Sequence, residues 1–144
     1  MKISSIHSLW REDSKIDRMD LGEESLKISS LHQKYIEIYT FEKDRLRKYE
    51  AQLRVLKLEK YEFFTQGPTN ETQEKGWELP AIGKVIRSDV QQYIDADMDI
   101  IELTLQIGIQ NEKISLLDSI MKNLANRGFQ IKNAIDWLKY ASGG

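Results

Sequence analysis

The stretch from Glu23 to Phe64, EESLKISSLHQKYIEIYTFEKDRLRKYEAQLRVLKLEKYEFF, decides the fold. It holds neither Pro nor Gly, so nothing in it interrupts a helix. Apolar residues recur at Ile28, Leu31, Tyr35 and Ile38, then at Tyr39, Leu46, Tyr49, Leu53, Leu56 and Phe63. Steps of three and four place them on one stripe of a single long helix, and that stripe requires burial. The step from Tyr35 to Tyr39 is a stutter that locally unwinds a strict left-handed coiled coil. Glu42 and Lys60 interrupt the seam.

The flanking segments supply what covers it. Ile3, Ile6, Leu9 and Trp10 give a short amphipathic helix over Lys2–Arg11 that needs a surface to lie on. A polar connector follows to Gly22, the expected break before the long helix. Residues 66–87, with Gly67-Pro68 and Thr69-Asn70, read as a loop in which Trp77 is the residue expected to be pinned by packing. Ser88 with Gln91 resembles a capping box and opens a second long helix to Asn126. Its stripe of Val90, Ile94, Met98, Ile101, Leu105, Ile109, Leu116, Ile120 and Leu124 is widened by Ile100, Leu103, Ile107 and Leu117. A face this wide calls for partners on more than one side, and Gly108 within it marks a place for close helix approach. Asn126-Arg127-Gly128 reads as a C-cap, with Gly128 left-handed and a last helix beyond it. That helix places Ile131, Ala134, Ile135 and Leu138 on one face and Trp137 with Tyr140 beside it. It is too short to be stable alone, and Ser142–Gly144 reads as a frayed end. The expected architecture is all-α: one domain with two long antiparallel helices (23–65 and 88–126) between short N-terminal (1–22) and C-terminal (127–144) segments.

Composition limits the chemistry. Of 144 residues, 31% are charged and 40% hydrophobic, with a net charge of −2, so any polyanion-binding surface must come from local segregation of cations. The absence of Cys removes disulfides, thiolate metal sites and a cysteine nucleophile. There is no signal-peptide core and no apolar run of membrane-spanning length. Gly83-Lys84-Val85 lacks the first glycine and the hydroxyl of a phosphate loop. Asp95, Asp97 and Asp99 alternate like a calcium loop, but Ile100 stands where glycine is needed and Gln106 where glutamate is needed, so they read as exposed helix carboxylates. His7 and His32 have no carboxylate at metal-pair spacing, and no nucleophile, base and orienting group can be assembled. The chain reads as a non-enzyme without cofactor or metal.

One stretch carries a binding signal. Lys43, Arg45, Arg47, Lys48, Arg54, Lys57 and Lys60 lead into Tyr61, Phe63 and Phe64, and cations beside clustered aromatics suit single-stranded nucleic acid. The plainer reading is a solvated face in which Glu42, Asp44, Glu50 and Glu59 pair with cations three or four residues away.

Three stretches resemble the UvsY-like recombination mediators of T-even-type tailed phages. They are Ile16-Asp17 before the long helix, Arg47 to Phe64 with its Glu-Ala-Gln step and aromatic doublet, and Asn126-Arg127-Gly128-Phe129-Gln130-Ile131-Lys132-Asn133. The last is the most specific. The family's basic pair, a Lys and an Arg one residue apart, falls on Leu58 and Lys60, with Lys57 one position away. The resemblance implies a ring-like homo-oligomer of six or seven subunits that binds single-stranded DNA and helps a phage recombinase replace the phage single-strand-binding protein, in the cytoplasm of the infected host cell. On it, Lys43, Arg45, Arg47, Lys48, Arg54, Lys57, Lys60, Tyr61 and Phe64 are the expected DNA contacts. Phe129, Ile131, Ala134, Ile135 and Leu138 are the expected assembly face. The rivals are a coiled-coil adaptor that ignores DNA and a chaperone for an acidic protein.

Overall fold

The computed structural model describes residues 1–143. It contains α1 (Ile3–Asp13), α2 (Leu21–Gln66), α3 (Asn70–Glu74), α4 (Val90–Asp95) and α5 (Met98–Ala141), and no strand among the described residues. Two compact units form, one from Met1–Arg45 with α5 from Gln110 onward, the other from Leu46–Ile109.

In the first unit α1 finds the surface its apolar face needs. Ile6, Tyr35, Leu117, Ile120 and Leu124 are buried together, with Leu9, Trp10, Leu31 and Ile38 packed around them. Each fully buried aliphatic side chain contributes roughly 1.5–3 kcal/mol relative to exposure. As α2 runs from Tyr35 to Glu42, its partners on α5 step back from Leu124 to Gln110, so the helices are antiparallel. Glu42 does interrupt the apolar seam, as a polar hub. It is fully buried, and Gln110 Nε2 donates to its carboxylate at 2.6 Å and to its carbonyl at 2.7 Å. Burial raises its carboxyl pKa, but the Gln110 bond, the chain's ammonium and Lys113 outweigh this and hold it below the usual range. Asp13, at the end of α1, accepts from Lys34 Nζ at 2.6 Å and Tyr35 Oη at 2.7 Å. Burial raises its pKa too, and those two bonds with the Lys34 and Arg127 charges bring it below the ordinary value.

The second unit closes around Phe63, Phe64, Val85, Val90, Ile94 and Ile100. α2 stops at Gly67, whose φ of +96° suits glycine and whose N–H donates to Phe63 O at 2.9 Å. The chain then folds back so that Val85 N–H donates to Phe64 O at 2.8 Å. Trp77 is pinned as expected, edge-on to Phe63 with centroids 5.5 Å apart.

Several expected boundaries differ. Gly22 lies inside the first turn of α2, not before it. The loop contains α3, and it is Thr69 with Thr72 that forms a capping box. Ser88 and Gln91 form none: α4 starts at Val90 after Asp89, without a side-chain cap. The second helix is broken at Ala96–Asp97, where Asp97 Oδ2 accepts from Ile100 N–H at 3.2 Å and so caps α5. The expected C-cap at Gly128 is absent, and α5 continues to Ala141. Leu124, Arg127 and Ile131 are all buried, and this packing carries the helix through a glycine that alone would favour a break. Of the expected fray, Ser142 and Gly143 are described and Gly144 lies outside the described residues.

Candidate nucleic-acid interface

Helical periodicity sorts the cations of α2. Arg47, Arg54 and Lys57, with Glu50 among them and Tyr61 at the end, are spaced three and four apart and share one face of α2 within the second unit. At 1.5 Å per residue that line is about 21 Å long. Arg47, Arg54 and Lys57 are exposed, and Glu50 and Tyr61 are half-buried. Among the described residues none of the three cations is held by an ion pair. Lys57 stands at the rim of a groove of about 290 Å³ lined also by Asp95, Ile100, Ile101, Thr104 and Leu105. Lys48, also exposed, lies around the helix from this line. Lys43 and Arg45 belong to the first unit, both half-buried, with Arg45 Nη1 3.6 Å from Glu42.

The carboxylates expected to neutralise this face are engaged elsewhere in part. Glu42 is buried with Gln110, and Glu59 accepts from Lys75 Nζ at 3.0 Å. That bond is the main reason the exposed Lys75 ammonium has a raised pKa.

Lys60 and Phe64 are placed differently from the expectation. Lys60 is 3% exposed, with Nζ 3.0 Å from Asp97 Oδ1, 2.8 Å from Asp99 Oδ2 and 3.7 Å from the Trp77 ring centroid. Two carboxylates and an aromatic face occupy its donors, so in this fold it presents no charge to a strand. Asp95 and Asp99 are exposed, as their spacing suggested, whereas Asp97 is half-buried; Asp97 and Asp99 both pair with Lys60. Phe64, 6% exposed, packs in the core against Phe63 and Tyr93. Leu58, where the resemblance places the first member of a basic pair, is 59% exposed and uncharged. Sequence reasoning missed the Lys60 cluster because Trp77 and the two aspartates are remote in sequence. The one local signal was a lysine interrupting an apolar seam.

The residues expected to assemble copies are divided by the fold. Ile131 is buried within the first unit, Ala134 and Ile135 are half-buried, and Phe129 and Leu138 are exposed. Trp137 and Tyr140 are also exposed, their rings 5.7 Å apart. Arg127 is buried over the Trp10 ring, 5.3 Å from its centroid, and donates through Nη2 to Asp13 O at 3.0 Å. Its Nε and Nη1 have no hydrogen-bond partner among the described residues. No described helix is long and apolar enough to cross a membrane.

The family model described as "Recombination, repair and ssDNA binding protein UvsY" matches residues 9–144. Crystal structures of the bacteriophage T4 recombination mediator protein UvsY share the fold. One lattice type superposes with a TM-score of 0.80 at 19% identity, covering 99% of this chain and 98% of that one. A second gives 0.79 at 16% identity, covering 98% and 99%. A third gives 0.79 at 18% identity, covering 95% and 98%. No curated protein sequence matches the chain.

Proposed function

The chain belongs to the UvsY family of recombination, repair and single-stranded-DNA-binding proteins, and we propose that it is a recombination mediator that holds single-stranded DNA along α2. The observation that carries this reading is the exposed line of Arg47, Arg54 and Lys57 on one helical face, with Tyr61 at its end. Three aligned guanidinium and ammonium groups fit a phosphate backbone, and a half-buried tyrosine at the end of the line adds an aromatic ring for base stacking. Of the other expected contacts, Lys48 stands on the same stretch of α2, whereas Lys43 and Arg45 belong to the first unit, with Arg45 beside Glu42. Lys60 and Phe64 support the line from within: they fix the end of α2 on which Lys57 and Tyr61 stand.

A single chain of net charge −2 offers few such contacts. A ring of six or seven copies repeats the line, and avidity along one strand makes modest contacts sufficient. Phe129 and Leu138 at the end of α5, with Trp137 and Tyr140, are the apolar groups offered to that assembly. So held, the strand passes from the phage single-strand-binding protein to the recombinase, in the cytoplasm of the infected cell, with no catalytic step by this chain. The test uses an oligonucleotide pre-coated with the single-strand-binding protein, to which recombinase is added with and without this chain. Faster DNA-dependent ATP hydrolysis by the recombinase when the chain is present is the expected result. An unchanged lag would refute the mediator role.

A further inference from the structure

Two helical faces of the second unit are apolar, exposed and turned away from each other. On α2 the burying side carries Leu53, Leu56 and Lys60, so periodicity puts Ala51, Val55 and Leu58 outward. Val55 is 57% and Leu58 59% exposed. On α5 the burying side carries Ile100 and Leu103, which puts Met98, Leu105 and Ile109 outward at 65%, 63% and 51% exposure. Three residues of the wide stripe read from the sequence, Met98, Leu105 and Ile109, are therefore left uncovered by its own chain. Aliphatic side chains exposed as stripes on two helices mark an interaction surface.

Three features specify the occupant. First, charge is segregated between the faces. The α2 face is rimmed by Arg47, Lys48 and Arg54, whereas residues 95–109 contain no Lys or Arg, and of their carboxylates Asp97 and Asp99 are held by Lys60 while Asp95 and Glu102 are not. Asp95 and Glu102 are exposed. Second, Gly108 sits on the α5 face in mid-helix, and a Cβ placed on it would meet nothing within 4 Å beyond its own helical backbone. Within one copy the glycine costs helix stability and makes room for nothing; against a second helix it is a notch for close approach. Third, beside the α2 face lies a groove of about 500 Å³ lined by Ala51, Gln52, Val55, Leu56, Glu59 and Leu103. It offers an apolar seat for side chains of an incoming helix.

We infer that the outer face of α2 in one copy of this chain receives the outer face of α5 from a second copy. A basic, grooved apolar face meets an acidic, notched one. The two faces are different and lie on opposite helices of the unit, so the contact is head-to-tail and leaves one face of each kind open on the pair. Such a contact propagates and closes into a ring when the rotation permits. The inference rests on the proposed ring and names a contact for it that is distinct from the end of α5. It also leaves Arg47, Arg54 and Lys57 running alongside each junction, so the cation line repeats from copy to copy.

The test separates the two faces. Val55→Asp/Leu58→Asp spoils the α2 face, and Leu105→Asp/Ile109→Asp spoils the α5 face. All four side chains are exposed, so circular dichroism and melting should show both proteins folded. By sedimentation each variant alone should dissociate at a concentration at least about tenfold higher than the wild-type chain. Mixed one to one, they should form a two-chain species where either alone is a monomer, because one junction of the pair has both faces intact. Gly108→Leu should raise the melting temperature by improving helix propensity and still weaken assembly, which a glycine of purely local role would not do. Wild-type mass in all three variants, or a mixture no larger than its components, would overturn the inference and leave assembly through the end of α5 standing. A wild-type chain that is monomeric at every concentration would remove both, while oligonucleotide binding by the monomer would still be measured independently.

Discussion

Replacing Lys60 by Ala separates a buried structural cation from a DNA contact. The ammonium is 3% exposed and lies 3.0 Å from Asp97 and 2.8 Å from Asp99. Removing one member of a fully buried pair costs about 3–5 kcal/mol, because the remaining charge is left uncompensated. Here the Asp99 side chain is 49% exposed and regains water, so the penalty falls mainly on Asp97, at 14%. Loss of the cation over the half-buried Trp77 ring adds about 1 kcal/mol. The sum is roughly 3 kcal/mol, which for a chain of this size lowers Tm by about 6–12 °C. The assay pairs thermal melting with titration of a fluorescent single-stranded oligonucleotide at several salt concentrations. Lys60→Ala should lower Tm by that amount and, well below it, keep the wild-type salt slope. A variant with wild-type Tm and a salt slope flattened by about 0.7 would show that Lys60 meets a phosphate, and would refute the assignment.

Other substitutions and conditions test other parts of the structure. Phe64→Ala should cost about 3–5 kcal/mol in a melt, as a large-to-small core change does, and a stable variant with weakened DNA binding would instead make Phe64 a stacking residue. Gly128→Ala should stabilise by up to about 1 kcal/mol, since Gly128 is helical and a Cβ there meets nothing within 4 Å; destabilisation would mean that the helix breaks at that point. Asp13 and Glu42 have folded pKa values below their ordinary 3.8 and 4.5, so the unfolded chain takes up protons first as pH falls. Their contribution to stability is therefore present above those ordinary values and lost as pH falls through the folded ones; Asp13→Asn should shrink the acid-induced fall in Tm, and an unaltered profile would contradict the assignment.

How much of this was legible in the sequence depended on the range of the interactions. The periodicity of α2 and of α5 is local and strong, so two long antiparallel helices and a short amphipathic α1 followed from it. The breaks did not. Gly128 looked like a stop because its neighbours in sequence allow one, yet Arg127 is bonded to Asp13, more than a hundred residues away, Ile131 is buried, and that packing prevails. Asp97 starts α5 by a capping bond that its alternation with Asp95 and Asp99 disguised. The candidate site was legible as a face. Arg47, Arg54 and Lys57 follow from spacing alone, whereas the removal of Lys60 and Phe64 from the surface depends on Trp77, Asp97 and Tyr93, which no local pattern connects to α2.

The central claim is that single-stranded DNA lies along the exposed cations of α2. The measurement that addresses it most directly is the salt dependence of oligonucleotide binding by the wild-type chain and by Arg47→Ala/Arg54→Ala/Lys57→Ala, compared at a protein concentration where melting and sedimentation show both folded and of equal mass, since Arg47 and Arg54 also rim the proposed subunit contact. Each phosphate of a single strand that is no longer neutralised should flatten the slope by about 0.7, so the triple variant should have a slope shallower by about 2 and bind every base sequence more weakly. Wild-type affinity and slope in a folded, assembled triple variant would contradict the account.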